Sequence, residues 1–162
     1  MEAGRQPYRL EPLDAGALAR DVAEEFVAEV EGRGFTVDCR LDSEECPVMA
    51  DPEALARGLW NLLDNATKYS GDSRKIDILV CRNEKSVSIG VRDYGSGIPA
   101  EERERIFDKF VRGEAAKLRG IKGTGIGLAM VRHIVKAHGG TVEVSSTPGA
   151  GSTFTIVLPM RQ

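Results

Sequence analysis

Asn61-Leu62-Leu63-Asp64-Asn65-Ala66-Thr67-Lys68-Tyr69-Ser70 is the stretch on which the reading of this chain turns. Wound as a helix at about 100° per residue, it brings Asn61, Asn65 and Lys68 within roughly 60° of one another. Leu55, Leu59, Leu62, Leu63 and Ala66 gather on the opposite side. One face is a core stripe; the other carries two carboxamides and an ammonium in line. A carboxamide oxygen is a neutral, hard ligand for Mg²⁺, and an ammonium answers phosphate charge as a point donor. Alone, the stretch reads as readily as an amphipathic helix with an ordinary polar face.

Working outward, Asp51-Pro52 opens this helix with the cap and first-turn proline in their usual order. Upstream, residues 8–13 are short and extended, with Pro12 marking an edge or lead-in. Asp14 caps a helix through Leu18, Val22, Phe26 and Val30 that ends at Gly32 and Gly34. Residues 35–41 alternate like a half-buried strand, and Pro47-Val48-Met49-Ala50 forms a shorter one. Downstream, residues 76–81 and 87–91 are strands joined by a hairpin at Asn83-Glu84-Lys85. The second runs into Asp93-Tyr94-Gly95-Ser96-Gly97-Ile98-Pro99, and a short acidic helix over 100–107 follows.

Residues 109–124 lose periodicity and carry Lys109, Arg112, Lys117, Arg119 and Lys122 against a single acid, Glu114. Irregular segments of this length in compact domains are usually functional or disordered. Gly125-Ile126-Gly127-Leu128 starts a further helix that Gly139-Gly140 stops. Strands over 141–146 and 153–158 then close the chain around Pro148-Gly149-Ala150-Gly151. Strands and helices without strict βαβ alternation predict an α+β fold, a mixed sheet covered on one face by helices.

At 162 residues the chain suits one domain. Its net charge of −3 gives no general pull toward nucleic acid. No apolar run approaches a membrane span and the polar N-terminus is no signal peptide. Cys39, Cys46 and Cys81 lack CxxC spacing and read as buried thiols of a reducing cytosol.

Two glycine motifs could carry chemistry. In Asp93-x-Gly95-x-Gly97, glycines at a strand exit let a ligand approach the backbone, and the carboxylate can accept from an exocyclic amine. The adenine amino group fits that role, whereas guanine offers a carbonyl at the same edge. Gly123-Thr124-Gly125-Ile126-Gly127-Leu128 places free amides at a helix start, a natural phosphate cradle. It is neither a P-loop nor GxGxxG. Alone, the first reads more readily as a plain glycine turn, and the second equally as a glycine-rich hinge. Beside a phosphate cradle, the basic segment becomes a plausible lid.

Together, in this order and spacing, the three segments resemble the N, G1 and G2 boxes of the GHKL superfamily, specifically the catalytic ATP-binding (HATPase) domain of bacterial sensor histidine kinases. Ile106-Phe107-Asp108-Lys109-Phe110-Val111-Arg112 resembles that family's F box, and the run from Gly151 to Pro159 its closing strand. The resemblance covers residues 10–159. It implies a two-layer α/β sandwich of the Bergerat type: a mixed, mostly antiparallel five-stranded sheet with three main helices on one face, forming one domain over 1–162.

It also implies roles. Asn65 would hold the Mg²⁺ that bridges the phosphates of ATP, and Asn61 and Lys68 would contact phosphate directly or through water. Tyr69 would lie against the adenine with Ile98 nearby. Asp93 would bind the adenine amino group, with Gly95 in its motif and Gly97 leaving room beside the base. Arg112 would reach the terminal phosphates from the lid's start. Gly123, Thr124, Gly125, Ile126, Gly127 and Leu128 would form the phosphate side, and Ser152 would join a water network around adenine. Phe107 and Phe110 would anchor the lid.

Asn61 stands where the superfamily's gyrase, mismatch-repair and chaperone ATPases, and its anti-sigma serine kinases, carry a water- or hydroxyl-activating glutamate. An amide takes no proton at neutral pH. The resemblance therefore implies a histidine acceptor and slow hydrolysis by the chain alone. The acceptor helix itself is not found here. His133 and His138, the two histidines, are five residues apart on the helix after the glycine loop and read as structural or surface residues. The chain is expected to be an excised catalytic domain, monomeric and cytoplasmic, whether or not its parent is anchored in the inner membrane. Its partners would be the dimerisation and phosphoacceptor domain of the same kinase and, downstream, a response regulator. The alternative is a nucleotide-sensing interaction domain without its own catalysis, contacting a partner through residues 107–112.

Overall fold

The computed structural model describes residues 8–41, 45–98 and 126–161. The elements are β1 (Glu11–Asp14), α1 (Ala15–Val30), β2 (Thr36–Leu41), β3 (Pro47–Ala50), α2 (Pro52–Tyr69), β4 (Lys75–Arg82), β5 (Ser86–Asp93), α3 (Ile126–Ala137), β6 (Thr141–Thr147) and β7 (Gly151–Pro159). The main sheet has the order β2-β4-β5-β7-β6; β2 runs parallel to β4, and the remaining neighbours are antiparallel. β1 and β3 pair separately as an antiparallel two-stranded sheet. Among the described residues this is the expected α+β sandwich, five mixed strands and three helices. The acidic helix expected over 100–107 and the basic segment 109–124 lie outside the described residues.

Alternation builds the layer. Ile76, Ile78 and Val80 of β4, Val87, Ile89 and Val91 of β5, and Phe154, Ile156 and Leu158 of β7 all turn to the helices and are buried. Leu55, Leu59, Leu62 and Leu63 of α2 meet them, each contributing about 1.5–3 kcal/mol by leaving water. Phe26 of α1 packs edge-on against Trp60 of α2, ring centroids 5.0 Å apart. The opposite register of β4 puts Cys81 outward, and it is exposed. Cys46 is buried and Cys39 half-buried, so the expectation of three buried thiols fails at Cys81.

The caps locate α1 and α2. Asp14 accepts from Gly16 N and from Cys46 N, both at 3.0 Å, so one carboxylate starts α1 and pins the approach to β3. Asp51 accepts from Glu53 N and Ala54 N at 3.1 and 3.2 Å through one oxygen, and from Arg9 N at 3.0 Å through the other. These amide bonds, Arg9's first, hold its carboxyl below the usual carboxylate value.

The Asp51 amide donates to Nε2 of buried His138, whose Nδ1 lies 2.8 Å from the Ile134 carbonyl. Nε2 is therefore the bare nitrogen and Nδ1 carries the proton. His138 thus bolts the end of α3 to the start of α2, a structural role, while His133 is exposed.

Candidate functional site

The polar face of α2 is the floor of the site. Asn61 and Asn65 are half-buried, and the Nδ2 atom of each is buried without a hydrogen-bond partner among the described residues. Buried polar atoms are rarely left so, and an orphaned pair on one helix face is where a bound group would supply the missing partners. A carboxamide turned over about its last bond offers oxygen in place of nitrogen at no change in shape. Two amides with an adjacent lysine fit a hard divalent cation held against phosphates. Lys68 Nζ lies 3.2 Å from Asp64 Oδ2, one helical turn back. Partly exposed pairs of this kind are worth about 0.3–0.5 kcal/mol, little to set against a polyphosphate.

The turn leaving β5 is the wall, and its glycines are there for packing. A Cβ on Gly95 would sit 1.8 Å from the Tyr69 carbonyl oxygen at the end of α2. One on Gly97, whose φ is +82°, would sit 2.5 Å from the Thr147 carbonyl at the end of β6. The turn is wedged between backbones, and Gly149 N donates to Ser96 O at 2.7 Å to close the far side. Close approach is the reason for both glycines, but not the approach of a ligand that the sequence suggests. The approaching group at each is the protein's own main chain.

Seated this way, Asp93 is 2 % exposed and accepts from Gly95 N at 2.9 Å. Burial raises its carboxyl above the ordinary value, while the Gly95 and Ser152 amides and the Arg92 charge pull it back down. Ile98 is buried beside it, and Ser152 is buried with its Oγ 3.1 Å from Ser146 Oγ. Gly95 resting on Tyr69 brings Asp93 and the end of α2, with Asn65 one turn back, to a common place.

The third expected segment is described only in part. α3 begins at Ile126 and includes Gly127 and Leu128, whose amides belong to the first turn, where a helix supplies no partners of its own. The Leu128 side chain is buried in the core, so only its backbone can serve a phosphate. Arg112, Gly123, Thr124 and Gly125, like Phe107 and Phe110, lie outside the described residues.

Two features escaped the sequence. Tyr94 donates its hydroxyl to Asp77 on the far face of the sheet, beneath the Arg92 and Lys75 cations, 4.6 and 5.4 Å from its ring centroid. That bond raises the phenol above its usual value. Asp77 is itself buried, with Oδ1 unpartnered among the described residues. Ser146 is the second. It is a hydroxyl on the buried side of β6, where the alternation from Val142 and Val144 could have exposed it.

Known proteins match this chain in sequence and in fold. Residues 50–162 match the model of the histidine kinase-, DNA gyrase B- and HSP90-like ATPases. The sensor-like histidine kinase SenX3 of Mycobacterium tuberculosis is 43% identical over 124 residues, covering 76% of this chain and 30% of that protein. The circadian input-output histidine kinase CikA of Synechococcus elongatus is 32% identical over 164 residues, covering 98% of this chain and 21% of its own length. The chain thus spans less than a third of these relatives.

Among solved structures, the catalytic domain of histidine kinase ThkA superposes with a TM-score of 0.80 at 27% identity, covering 94% of this chain and 98% of its own. Full-length ShkA in complex with AMPPNP gives 0.85 at 28% identity, covering 99% and 33%. Sequence and fold thus agree: the chain belongs to the histidine kinase-, DNA gyrase B- and HSP90-like ATPase family.

Proposed function

We propose that this chain is the catalytic domain of a protein-histidine kinase: it binds Mg-ATP between α2 and the β5 turn and presents the γ-phosphoryl group to a histidine on a separate dimerisation and acceptor domain. The observation that supports this reading is Gly95 seated on the Tyr69 carbonyl, which joins the turn of buried Asp93 to the helix whose two amides are without partners among the described residues.

Asp93 accepts the adenine amino group, and guanine, with a carbonyl there, leaves it unpaired. Tyr69 and Ile98 line the base. Asn65 supplies a carboxamide oxygen to Mg²⁺, while Asn61 and Lys68 meet phosphate oxygens; the cation, when bound, neutralises phosphate charge. The α3 amides at Ile126, Gly127 and Leu128 extend the phosphate side. Arg112, Gly123, Thr124 and Gly125 complete it on sequence grounds, with 109–124 as the lid.

In the transfer the bond from the γ-phosphorus to the bridging oxygen breaks, ADP leaves, and a P–N bond forms to the acceptor imidazole. The chain's share is positioning and charge neutralisation. The phosphohistidine then serves a response regulator, in a parent whose catalytic domain faces the cytoplasm, where ATP is supplied.

Titration with ATP, ADP and GTP, with and without Mg²⁺, tests this. Asp93→Ala is expected to lose about 1–3 kcal/mol, roughly five- to a hundredfold in ATP affinity, and its preference over GTP. Asn65→Ala should abolish the gain that Mg²⁺ gives the wild type. Equal affinity for GTP, or an Asn65→Ala protein with full magnesium dependence, would refute the assignment.

A further inference from the structure

We propose that Ser146, at the end of β6, is a positioning residue for the base end of the pocket, its hydroxyl holding Ile98 and Ser152 in register with Asp93. The proposal rests on the nucleotide reading above and adds a residue that touches no substrate.

Ser146 Oγ accepts from Ile98 N at 2.6 Å, stands 3.1 Å from Ser152 Oγ and lies 3.3 Å from the Gly151 carbonyl. The residue is only 8 % exposed. A serine hydroxyl has one proton and two lone pairs. The Ile98 amide takes one lone pair. With the proton on Gly151 O, Ser152 donates into the other lone pair. With the proton on Ser152 Oγ, the proton of Ser152 is released toward another acceptor. Both arrangements need the Ser146 oxygen as the acceptor for Ile98.

The groups it joins are those that frame Asp93. Ser152 gives its amide to the Asp93 carboxylate. Gly151 lies against the Asp93 backbone so closely that a Cβ there would come within 2.1 Å of the carbonyl oxygen. Ile98 ends the glycine turn that Asp93 begins. One hydroxyl therefore ties the far end of the turn to the strand that braces its near end. Without it, the buried Ile98 amide loses its acceptor among the described residues, and the turn must shift to find one.

The test compares wild type, Ser146→Ala and Ser146→Thr in binding Mg-ATP, Mg-ADP and magnesium tripolyphosphate, with thermal unfolding alongside. Ser146→Ala is expected to weaken ATP and ADP alike by about tenfold and leave the base-less tripolyphosphate unchanged. Ser146→Thr, which keeps the hydroxyl, should restore nucleotide binding.

A lower melting temperature with unaltered ATP affinity, equal loss for tripolyphosphate, or a threonine variant as weak as the alanine one overturns the proposal. Should Ser146→Ala not fold, amide exchange in the wild type decides. The Ile98 amide should be protected and further slowed by ADP; exchange at the rate of an open loop, or indifference to ADP, overturns it. A wild type that binds no adenine nucleotide overturns both this and the function beneath it, whereas the other failures strike Ser146 alone.

Discussion

Burial and nucleotide binding set opposite demands on Asp93. Its carboxyl lies above the ordinary 3.8 because desolvation outweighs the Gly95 and Ser152 amides. Protonation is thus easier in the folded chain than in the unfolded one. The charged form costs stability that is absent below 3.8, sets in as pH rises through the folded value, and persists above it. Binding runs the other way, since the amine of adenine needs the charged acceptor. ATP affinity in the wild type is expected to fall as pH is lowered through a midpoint above 3.8, and Asp93→Ala should lack that step. A wild-type profile matching that of the variant would contradict the assignment of this carboxylate.

At the scale of elements, α2 was legible because both of its faces are local facts: a period of 3.6 separates Leu55, Leu59, Leu62 and Leu63 from Asn61 and Asn65 without any knowledge of neighbours. Asp51 before Pro52, and Asp14 before α1, were legible for the same reason. What the turn glycines meet was not. Tyr69 and Thr147 are brought to Gly95 and Gly97 only by the sheet, and no window of sequence contains both partners. The clasp of Tyr94 on Asp77 is hidden likewise, though the outward placement of Asp77 and Cys81 follows from alternation with Ile76, Ile78 and Val80.

Two glycines separate these cases by experiment. A Cβ on Gly58, within α2, would meet only Ile134 Cδ1 at an ordinary 3.9 Å. Gly58→Ala should therefore raise stability by about 0.5–1 kcal/mol through helix propensity. Gly95→Ala must displace a backbone carbonyl and should cost about 1–3 kcal/mol or prevent folding. Chemical denaturation of the two variants beside wild type reads both. A neutral Gly95→Ala would mean that the turn does not rest on α2.

For the whole molecule, the lack of strict βαβ alternation pointed to a mixed sheet under helices, and the structure added what that pattern could not: the β5 exit lies between α2 and the β6–β7 hairpin. Among the described residues no helix is long and apolar enough to cross a membrane. Asn61 in place of a proton acceptor bears on turnover. Purified wild type is expected to hydrolyse ATP slowly in a steady-state phosphate-release assay, with Asn61→Ala binding ATP more weakly but no slower at saturating ATP. Rapid turnover lost in that variant would make Asn61 part of a hydrolytic site.

Convergence of α2 and the β5 turn on one ligand is the claim beneath all of these, and an amide-resolved NMR titration with Mg-ADP addresses it most directly. The account predicts that the side-chain amides of Asn61 and Asn65 and the backbone amides of Gly95 and Ile98 shift together along one saturation curve. Shifts confined to one of these two groups, or clustered on the exposed face of the sheet, would contradict it.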